Sequence, residues 1–307
     1  MSKMEFSHIS VLFQETIDSL NIKKDGLYVD CTCGGAGHSK AILELIPDGT
    51  LVAIDRDPDA IEVITERIGS APQVEIVNDI FGNIKAILNG RKADGILADL
   101  GVSSFQLDNA ERGFSFHHDA PLDMRMSKSG KSAFDVVNGY SEQEIANIIF
   151  RYGEDKFAKS IARNIVKARG EKPIETTLEL AEIIKNSVPQ KVRRDGHPAR
   201  KAFQAIRIEV NDELSTLEKS IDDMFHSLKV GGRLSIITFH SLEDRTVKEK
   251  FREFTKGCTC PKEFPVCVCG NTPEGKLINK GISATQKELD ENNRSRSARL
   301  RTIERLK

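Results

Sequence analysis

The sequence contains no tryptophan, and aromatic residues make up only 6% of its 307 residues. Proteins that bind nucleic acid mainly by stacking bases on aromatic side chains need more of these side chains. We therefore do not expect stacking to be the main source of any affinity for nucleic acid. The chain also lacks a surplus of positive charge, because 45 basic residues are set against 46 acidic ones. Any binding to nucleic acid must therefore come from local basic patches.

Long apolar runs are also missing. No stretch approaches the roughly 20 apolar residues that are needed to cross a bilayer. The N-terminal segment Met1–Phe6 has none of the regions that make up a signal peptide. We therefore expect a cytoplasmic protein with no membrane partner, long enough for one large domain or two.

Six cysteines are too few to indicate a disulfide scaffold in a chain of this length. Four of them, Cys258, Cys260, Cys267 and Cys269, form a C-x-C-x6-C-x-C motif. Four thiols could close a zinc site, but the usual zinc knuckle has the spacing C-x2-C. From the sequence we favour reduced thiols without a metal, and we keep a zinc site and a redox pair as alternatives.

The most informative stretch runs from Val29 to His38 and reads VDCTCGGAGH. It follows a short apolar run and precedes a helical pattern, which is the strand, turn and helix of a Rossmann-like unit. Glycine turns let a ligand approach the backbone, and a helix start offers free N–H groups. The dinucleotide fingerprint is incomplete, because Lys40 stands at its third glycine. Alone, the loop is compatible with a plain turn or a ligand site.

Four predicted strands are followed by aspartates, namely Asp30, Asp55, Asp79 and Asp99. In open α/β sheets, ligands bind at the carboxyl edge of the strands, and an acid about 20 residues after the glycine loop commonly holds a ribose. Asp55 has that position. Asp79 could equally be a turn residue or a helix cap.

The negative charge of this edge distinguishes between cofactors. Carboxylates would repel the pyrophosphate of a nicotinamide dinucleotide. S-adenosylmethionine has a sulfonium, an ammonium and two ribose hydroxyls but no phosphate, so carboxylates suit it. We therefore predict S-adenosylmethionine as the cofactor. An NAD-dependent oxidoreductase remains the alternative.

The alternation of strands and helices stops between about Ser132 and Gln204, where the pattern is helical. The predicted helices there are Glu142–Arg151, with Ser141 as its cap, Lys156–Arg169 and Thr177–Ser187. Such an interruption on the loop side of a sheet commonly carries substrate recognition.

The α/β pattern resumes with a predicted helix at Glu209–Leu228, a turn at Gly231–Gly232 and a strand ending at Phe239. We therefore predict a discontinuous α/β domain over residues 1–112 and 207–307. A helical insertion over residues 113–206 is expected to recognise the substrate.

Two segments are locally basic. The loop Lys191–Lys201 carries five cations and one acid, and the tail Arg294–Lys307 carries six cations and one acid. We expect both to contact the phosphates of a nucleic acid, with Arg294, Arg296 and Arg299 as the residues in the tail that do so. The alternative for the loop is a solvated charged segment without a ligand, and the alternative for the tail is that its arginines pack or pair with acids on the sheet.

Several long motifs, in one order, resemble the RsmH (MraW) family of bacterial enzymes, which methylate the N4 amino group of a cytosine in small-subunit ribosomal RNA. The matching segments are His8–Leu12, Asp30–His38, Ala53–Asp57, Asp94–Ser104, Arg112–Phe116, Leu122–Met126, Phe239–Arg245 and Arg294–Leu300. The resemblance covers nearly the whole chain. It implies the class I S-adenosylmethionine-dependent methyltransferase fold, which is Rossmann-like, with a helical insertion.

The resemblance also implies roles for individual residues. The cofactor-binding positions that it implies are Ala36, Gly37, His38, Asp55, Phe81, Asp99 and Gln106. Among them, Asp55 would bind the ribose and Phe81 would lie on the adenine side. Asp99 and Gln106 would lie on the methionine side. The cysteine motif occurs only in some members of the family, so we expect no metal in the chemistry.

The implied substrate is 16S ribosomal RNA, in the small ribosomal subunit, and we place Asp123 and Arg125 near the target base. A cytosine amine is a poor nucleophile because its lone pair is delocalised, and the base must be exposed before it can react.

We predict Asp99 as the catalytic acceptor, with a carbonyl of Leu100–Gly101 as the alternative. The Asp-Leu-Gly motif here differs from the Asp-Pro-Pro-Tyr motif usual in amino-methyltransferases. A non-catalytic RNA-binding module is disfavoured by the intact glycine loop and Asp55.

Overall fold

A mixed β-sheet lies at the centre of the first of two units into which the chain divides. The computed structural model describes residues 10–191, 197–258, 260–261, 264–266 and 268–307. The first unit is Met1–Gly101 with Leu214–Lys307, and the second is Val102–Glu213. The sequence analysis placed the divisions after residues 112 and 206. Val102 and Leu107 pack against the apolar core of the second unit, so the structure groups them with it.

The strands of the sheet are β1 (Leu27–Asp30), β2 (Thr50–Asp55), β3 (Val74–Asn78), β4 (Ala93–Asp99), β5 (Leu228–Thr238), β6 (Gly275–Leu277), β7 (Ile282–Ser283) and β8 (Arg299–Arg305). Their order is β3-β2-β1-β4-β5-β8-β6, and β7 also pairs with β8. Strands β1 to β5 are parallel, whereas β8 runs antiparallel to its neighbours. The predicted α/β class and Rossmann-like sheet are confirmed, with the strand order reversing direction between β1 and β4.

The helices of the first unit are α1 (Phe13–Leu20), α2 (Gly37–Leu45), α3 (Pro58–Ile68), α4 (Ile84–Leu88), α11 (Glu213–His226, whose first residue belongs to the second unit), α12 (Ser241–Phe254) and α13 (Gln286–Glu291). Side chains alternate across the sheet, so Tyr28 and Leu51 join one apolar cluster while Val29 and Val52 join another. The first cluster includes residues of α1, α2 and α3, and the second includes residues of α4, α11 and α12. Helices therefore cover both faces of the sheet, as a parallel sheet requires.

The second unit is helical. Its helices are α5 (Ser104–Asp108), α6 (Ala133–Gly139), α7 (Glu142–Gly153), α8 (Ala158–Arg169), α9 (Thr177–Asn186) and α10 (Ala199–Asn211). Capping boxes start α6, α7 and α9 at Ser132, Ser141 and Thr176, so the predicted cap at Ser141 is confirmed. The helices enclose an apolar core of their own.

One predicted helix is wrong. Glu209–Leu228 is not continuous, because Asp212 adopts a left-handed conformation (φ 49°) that separates α10 from α11. At the other end, Leu228 already begins β5 and pairs with Ala93. The predicted turn at Gly231–Gly232 lies inside β5, at a shift in its register with β4.

The basic tail forms β8, a strand that the sequence analysis did not predict. Leu300, Thr302 and Ile303 are fully buried beside β5. The Arg301 side chain donates to both carboxylate oxygens of Asp244, at 2.7 and 3.0 Å. Part of the tail is therefore structural, although other arginines in it remain exposed. No helix in the described part of the chain is both long and apolar enough to span a membrane.

Candidate functional site

The glycine loop joins β1 to α2 at the carboxyl edge of the sheet. Ala36 takes a left-handed conformation (φ 61°) at the N-cap of α2. A Cβ atom on Gly37 would clash with Oγ of Ser10, so a larger residue at this position would force that side chain to move. The Gly34 N–H donates to Oδ2 of Asp55 at 2.8 Å, which fixes the loop against the end of β2. The loop is therefore a preformed turn that opens next to a carboxylate.

Asp55 connects two loops at this edge. Its Oδ1 accepts a hydrogen bond from the Asp57 N–H at 2.9 Å, in addition to the bond from Gly34. Burial raises the pKa of Asp55 to about 6, although these two N–H groups oppose the shift. Each carboxylate oxygen can accept more than one hydrogen bond, so Asp55 can still hold ribose hydroxyls.

Asp30 is a second buried carboxyl group at the same edge. Its Oδ2 accepts from Ser39 Oγ at 2.6 Å, and its Oδ1 accepts from the Thr32 N–H at 3.2 Å. Burial raises the pKa of Asp30 to about 6 despite these bonds. Ser39 lies in the first turn of α2, so Asp30 positions the helix start behind the glycine loop.

His38 and Asp99 meet where β4 ends. His38 is buried in the first turn of α2, and its Nδ1 lies 3.8 Å from Oδ2 of Asp99. Burial lowers the pKa of His38 to about 4, so the imidazole is neutral at neutral pH and this contact is not an ion pair. The histidine ring stacks on Phe13 at a centroid distance of 5.8 Å.

Asp99 is the least satisfied of the three carboxyl groups. Burial raises its pKa well above the usual value, and the charges of Asp30 and Glu243 raise it further. Its Oδ1 and the Nε2 atom of His38 have no hydrogen-bond partner among the described residues. Buried polar atoms are rarely left unpaired in native proteins, so these two atoms mark a place where a ligand can bind.

The end of β5 contributes a residue that the sequence analysis missed. Glu243 accepts hydrogen bonds from the Phe239 and His240 N–H groups, at 2.8 and 3.3 Å, in a capping box that starts α12. This buried side chain places another carboxyl group near Asp99. The signal was present in the sequence, since a polar residue followed by glutamate three positions later is typical of a helix start.

Two residues singled out by the sequence analysis, Asp79 and Phe81, follow β3. Asp79 accepts hydrogen bonds from the Ile80 N–H (2.7 Å) and from Asn83 Nδ2 (2.8 Å), so it serves as a turn residue. Phe81 begins the 3₁₀ turn Phe81–Asn83 and is half-buried against the apolar cluster of the first unit. Its contact with adenine stays a prediction.

Three of the predicted residues belong to the second unit. Gln106 is buried, and its Oε1 accepts from the Ser103 N–H at 3.0 Å in the capping box of α5. Arg125 donates to Asp123 through Nε and a terminal nitrogen, at 3.0 and 2.6 Å. Burial opposes ionisation of Asp123, but the hydrogen bonds from Arg125 outweigh it and hold the pKa low. The cofactor role of Gln106 and the RNA roles of Asp123 and Arg125 stay predictions.

The basic segments lie mostly on the surface. Arg294 and Arg296 are exposed in the 3₁₀ segment Asn293–Ser297, and Arg299 is exposed at the start of β8. In the basic loop, residues 192–196 lie outside the described part of the chain. Of the cysteine motif, Cys267 lies outside it as well.

The buried carboxyl group of Asp99 is expected to lower the stability of the ligand-free protein. Replacing Asp99 with asparagine should raise the melting temperature of the ligand-free protein at neutral pH. The reason is that the folded-state pKa lies above the unfolded value of about 4, so ionisation at neutral pH opposes folding. The gain should shrink as the pH falls and should vanish below about 4, where Asp99 is protonated in both the folded and the unfolded state.

Thermal unfolding of the parent and of Asp99→Asn at several pH values tests this. Asp79→Asn is the control, because Asp79 is bound only within its own turn. A variant that is less stable than the parent across the whole pH range would contradict the expected electrostatic strain.

Comparison with known proteins agrees with this geometry. The family model described as the MraW methylase family matches residues 5–306. Curated relatives named Ribosomal RNA small subunit methyltransferase H, from Clostridium botulinum strains Kyoto / Type A2 and Loch Maree / Type A3, are each 56% identical over 309 residues, which covers 99% of this chain and 100% of the relative. A solved rRNA methylase from Streptococcus thermophilus aligns over 98% of this chain and 100% of its own, with 11% identity and a TM-score of 0.44, too low to carry an argument. The family match and the 56% identity confirm the resemblance read from the motifs, and the chain belongs to the MraW methylase family.

Proposed function

We propose that this chain transfers a methyl group from S-adenosylmethionine to the N4 amino group of a cytosine in 16S ribosomal RNA, acting in the cytoplasm on the small ribosomal subunit. The observation that carries the proposal is the carboxyl edge of the sheet. Asp30, Asp55 and Asp99 are grouped there, and among the described residues none of them pairs with a lysine or arginine. Membership of a methylase family, and the name of the 56% identical relatives, support the reaction and the class of RNA.

The group of carboxyls at this edge suits a cationic cofactor. Burial raises the pKa of Asp30, Asp55 and Asp99, and the charge of Asp30 adds to the shift of the other two, so a bound positive charge would stabilise the ionised forms. A pyrophosphate would instead add negative charge to a site that already repels it. This physical argument favours S-adenosylmethionine over a nicotinamide dinucleotide.

The first unit offers a contact for each part of the cofactor. We assign the ribose hydroxyls to Asp55, whose carboxylate is already oriented by two backbone donors. The glycine loop at Ala36–His38 lets the backbone approach the cofactor, and Phe81 supplies an apolar surface for adenine. Asp99 faces the positively charged methionine part.

Catalysis requires the chain to present a weak nucleophile and to receive its proton. When bound, S-adenosylmethionine supplies an activated methyl group, so the protein contributes mainly orientation. We assign the unpaired Oδ1 of Asp99 as the acceptor for an N4 hydrogen of cytosine, and then for the proton that the nitrogen loses. A carboxyl group with a raised pKa is a stronger base than an ordinary one, which favours this role. The neutral His38 keeps positive charge away from the acceptor.

Asp55 should determine cofactor affinity. Asp55→Ala removes the acceptor for two hydroxyls, so binding should weaken by about 1.5–3 kcal/mol, the range for hydrogen bonds to a charged group. Calorimetry of S-adenosylmethionine binding measures this directly. Asp79→Ala, at the end of the neighbouring strand, should leave the dissociation constant unchanged. A folded Asp55→Ala variant with the parent's affinity would remove Asp55 from the site.

Asp99 should affect turnover more than affinity. Asp99→Asn keeps the shape of the side chain but removes the base, so the single-turnover rate should fall by roughly 10²-fold or more. Transfer of a labelled methyl group measures the rate on protein-free 16S RNA, isolated small subunits and assembled ribosomes. Equal rates for variant and parent with saturating RNA would make Asp99 purely structural.

The exposed arginines of the tail should bind RNA through phosphate. The triple variant Arg294→Ala, Arg296→Ala and Arg299→Ala should raise the half-saturating RNA concentration. It should also reduce the salt dependence of binding by up to about 0.7 log unit per lost contact on single-stranded RNA. The affinity for S-adenosylmethionine should not change.

Lys24→Ala with Lys92→Ala provides a control for lost charge, because these exposed lysines precede β1 and β4 at the opposite edge of the sheet. Per positive charge removed, the double lysine variant should weaken RNA binding less than the triple arginine variant does. If the arginine variant keeps its salt dependence but loses the cofactor, the tail belongs to the methyl-donor site and not to the RNA surface.

A further inference from the structure

Three cysteine sulfurs converge in the segment that follows α12. The Sγ atoms of Cys258, Cys260 and Cys269 all lie within 4.8 Å of one another, although Cys269 comes 9 residues after Cys260 in the sequence. Those of Cys258 and Cys269 are 3.7 Å apart. A disulfide needs about 2.05 Å. Two ligands of a tetrahedral zinc ion with Zn–S bonds of about 2.3 Å lie roughly 3.8 Å apart, which matches the observed spacing.

Backbone N–H groups point at these sulfurs. Cys260 Sγ accepts from the Val268 and Cys269 N–H groups, both at 3.3 Å, and Cys269 Sγ accepts from the Asn271 N–H at 3.4 Å. Hydrogen bonds from backbone N–H groups to sulfur are the outer contacts expected around cysteines that bind a metal.

The segment has little apolar core to hold its shape. Phe264, Val266 and Val268 are 52%, 70% and 73% exposed. Its ends are nevertheless fixed, since Asn271 Nδ2 donates to the Gly257 carbonyl at 2.8 Å and Lys307 donates to Thr272. A segment that buries so little apolar surface needs another source of stability, and a structural metal is a common one.

We propose that Cys258, Cys260 and Cys269 bind one structural Zn²⁺ ion through their thiolates. Three thiolates leave one position of a tetrahedral site to a further ligand. The proximity of the sulfurs and the converging N–H donors favour this alternative over metal-free thiols, which the unusual C-x-C spacing had suggested. The ion would stabilise the segment and take no part in methyl transfer.

The full-length protein, produced with zinc in the medium and purified under reducing conditions without chelator, tests the proposal. We expect about one zinc per chain by elemental analysis, as for a single structural site. The triple variant Cys258→Ser, Cys260→Ser and Cys269→Ser should contain almost none. Cys31→Ala removes a buried thiol elsewhere and should keep the full zinc content.

Cobalt provides an independent readout. Co²⁺ added to the metal-free parent should give the visible absorption of a tetrahedral thiolate site, and the triple variant should not. Zinc should also slow proteolysis of the segment in the parent but not in the variant. A parent that holds no zinc, shows no cobalt spectrum and has all of its thiols reduced would overturn the proposal. A disulfide between two of the three cysteines, found by mass spectrometry in the reduced preparation, would overturn it as well.

Discussion

The burial of carboxyl groups without a partner cation is the constraint on which the candidate site depends. Asp30 and Asp55 are held by hydrogen bonds from Ser39, Gly34 and other backbone N–H groups, yet their pKa values still rise to about 6. No described residue donates a hydrogen bond to Oδ1 of Asp99, and the pKa of Asp99 rises further. The fold therefore stores unfavourable electrostatic energy at one edge of the sheet, and a positively charged ligand would relieve it.

Strand register brings these groups together. Asp30 lies opposite Ala53 on one side and Leu97 on the other, while Asp99 lies opposite Ile237. A slip of one residue would turn every buried side chain of a strand to the opposite face, so the apolar clusters on both faces fix this register. The positions of the carboxyl groups are therefore set by the packing of the core, and the loops only have to supply the N–H groups that orient them.

Local signals in the sequence predicted much of the fold. The Ser141 cap and the aspartates at or just after the ends of four parallel strands follow from short-range chemistry. The break at Asp212 was missed, because helical periodicity continues across a single left-handed residue. β8 was missed for another reason. It mixes charged, polar and apolar side chains, and their burial depends on β5, more than sixty residues earlier in the chain. The neutral state of His38 and the unpaired oxygen of Asp99 are products of burial, which no pattern displays.

The antiparallel direction of β8 has a consequence for the proposed binding of RNA. Arg299 begins the strand opposite Thr238, the last residue of β5, so the chain enters β8 at the carboxyl edge of the sheet. A parallel strand would have entered at the other edge. The segment that contains Arg294 and Arg296 therefore precedes β8 on the side where the carboxyl groups gather. Leu300, Thr302 and Ile303 complete the core, whereas Arg299 at the start of the strand is exposed, as are Arg294 and Arg296 before it. In a protein without an overall basic charge, these exposed arginines are the local positive charge that the proposed contact with phosphate would need.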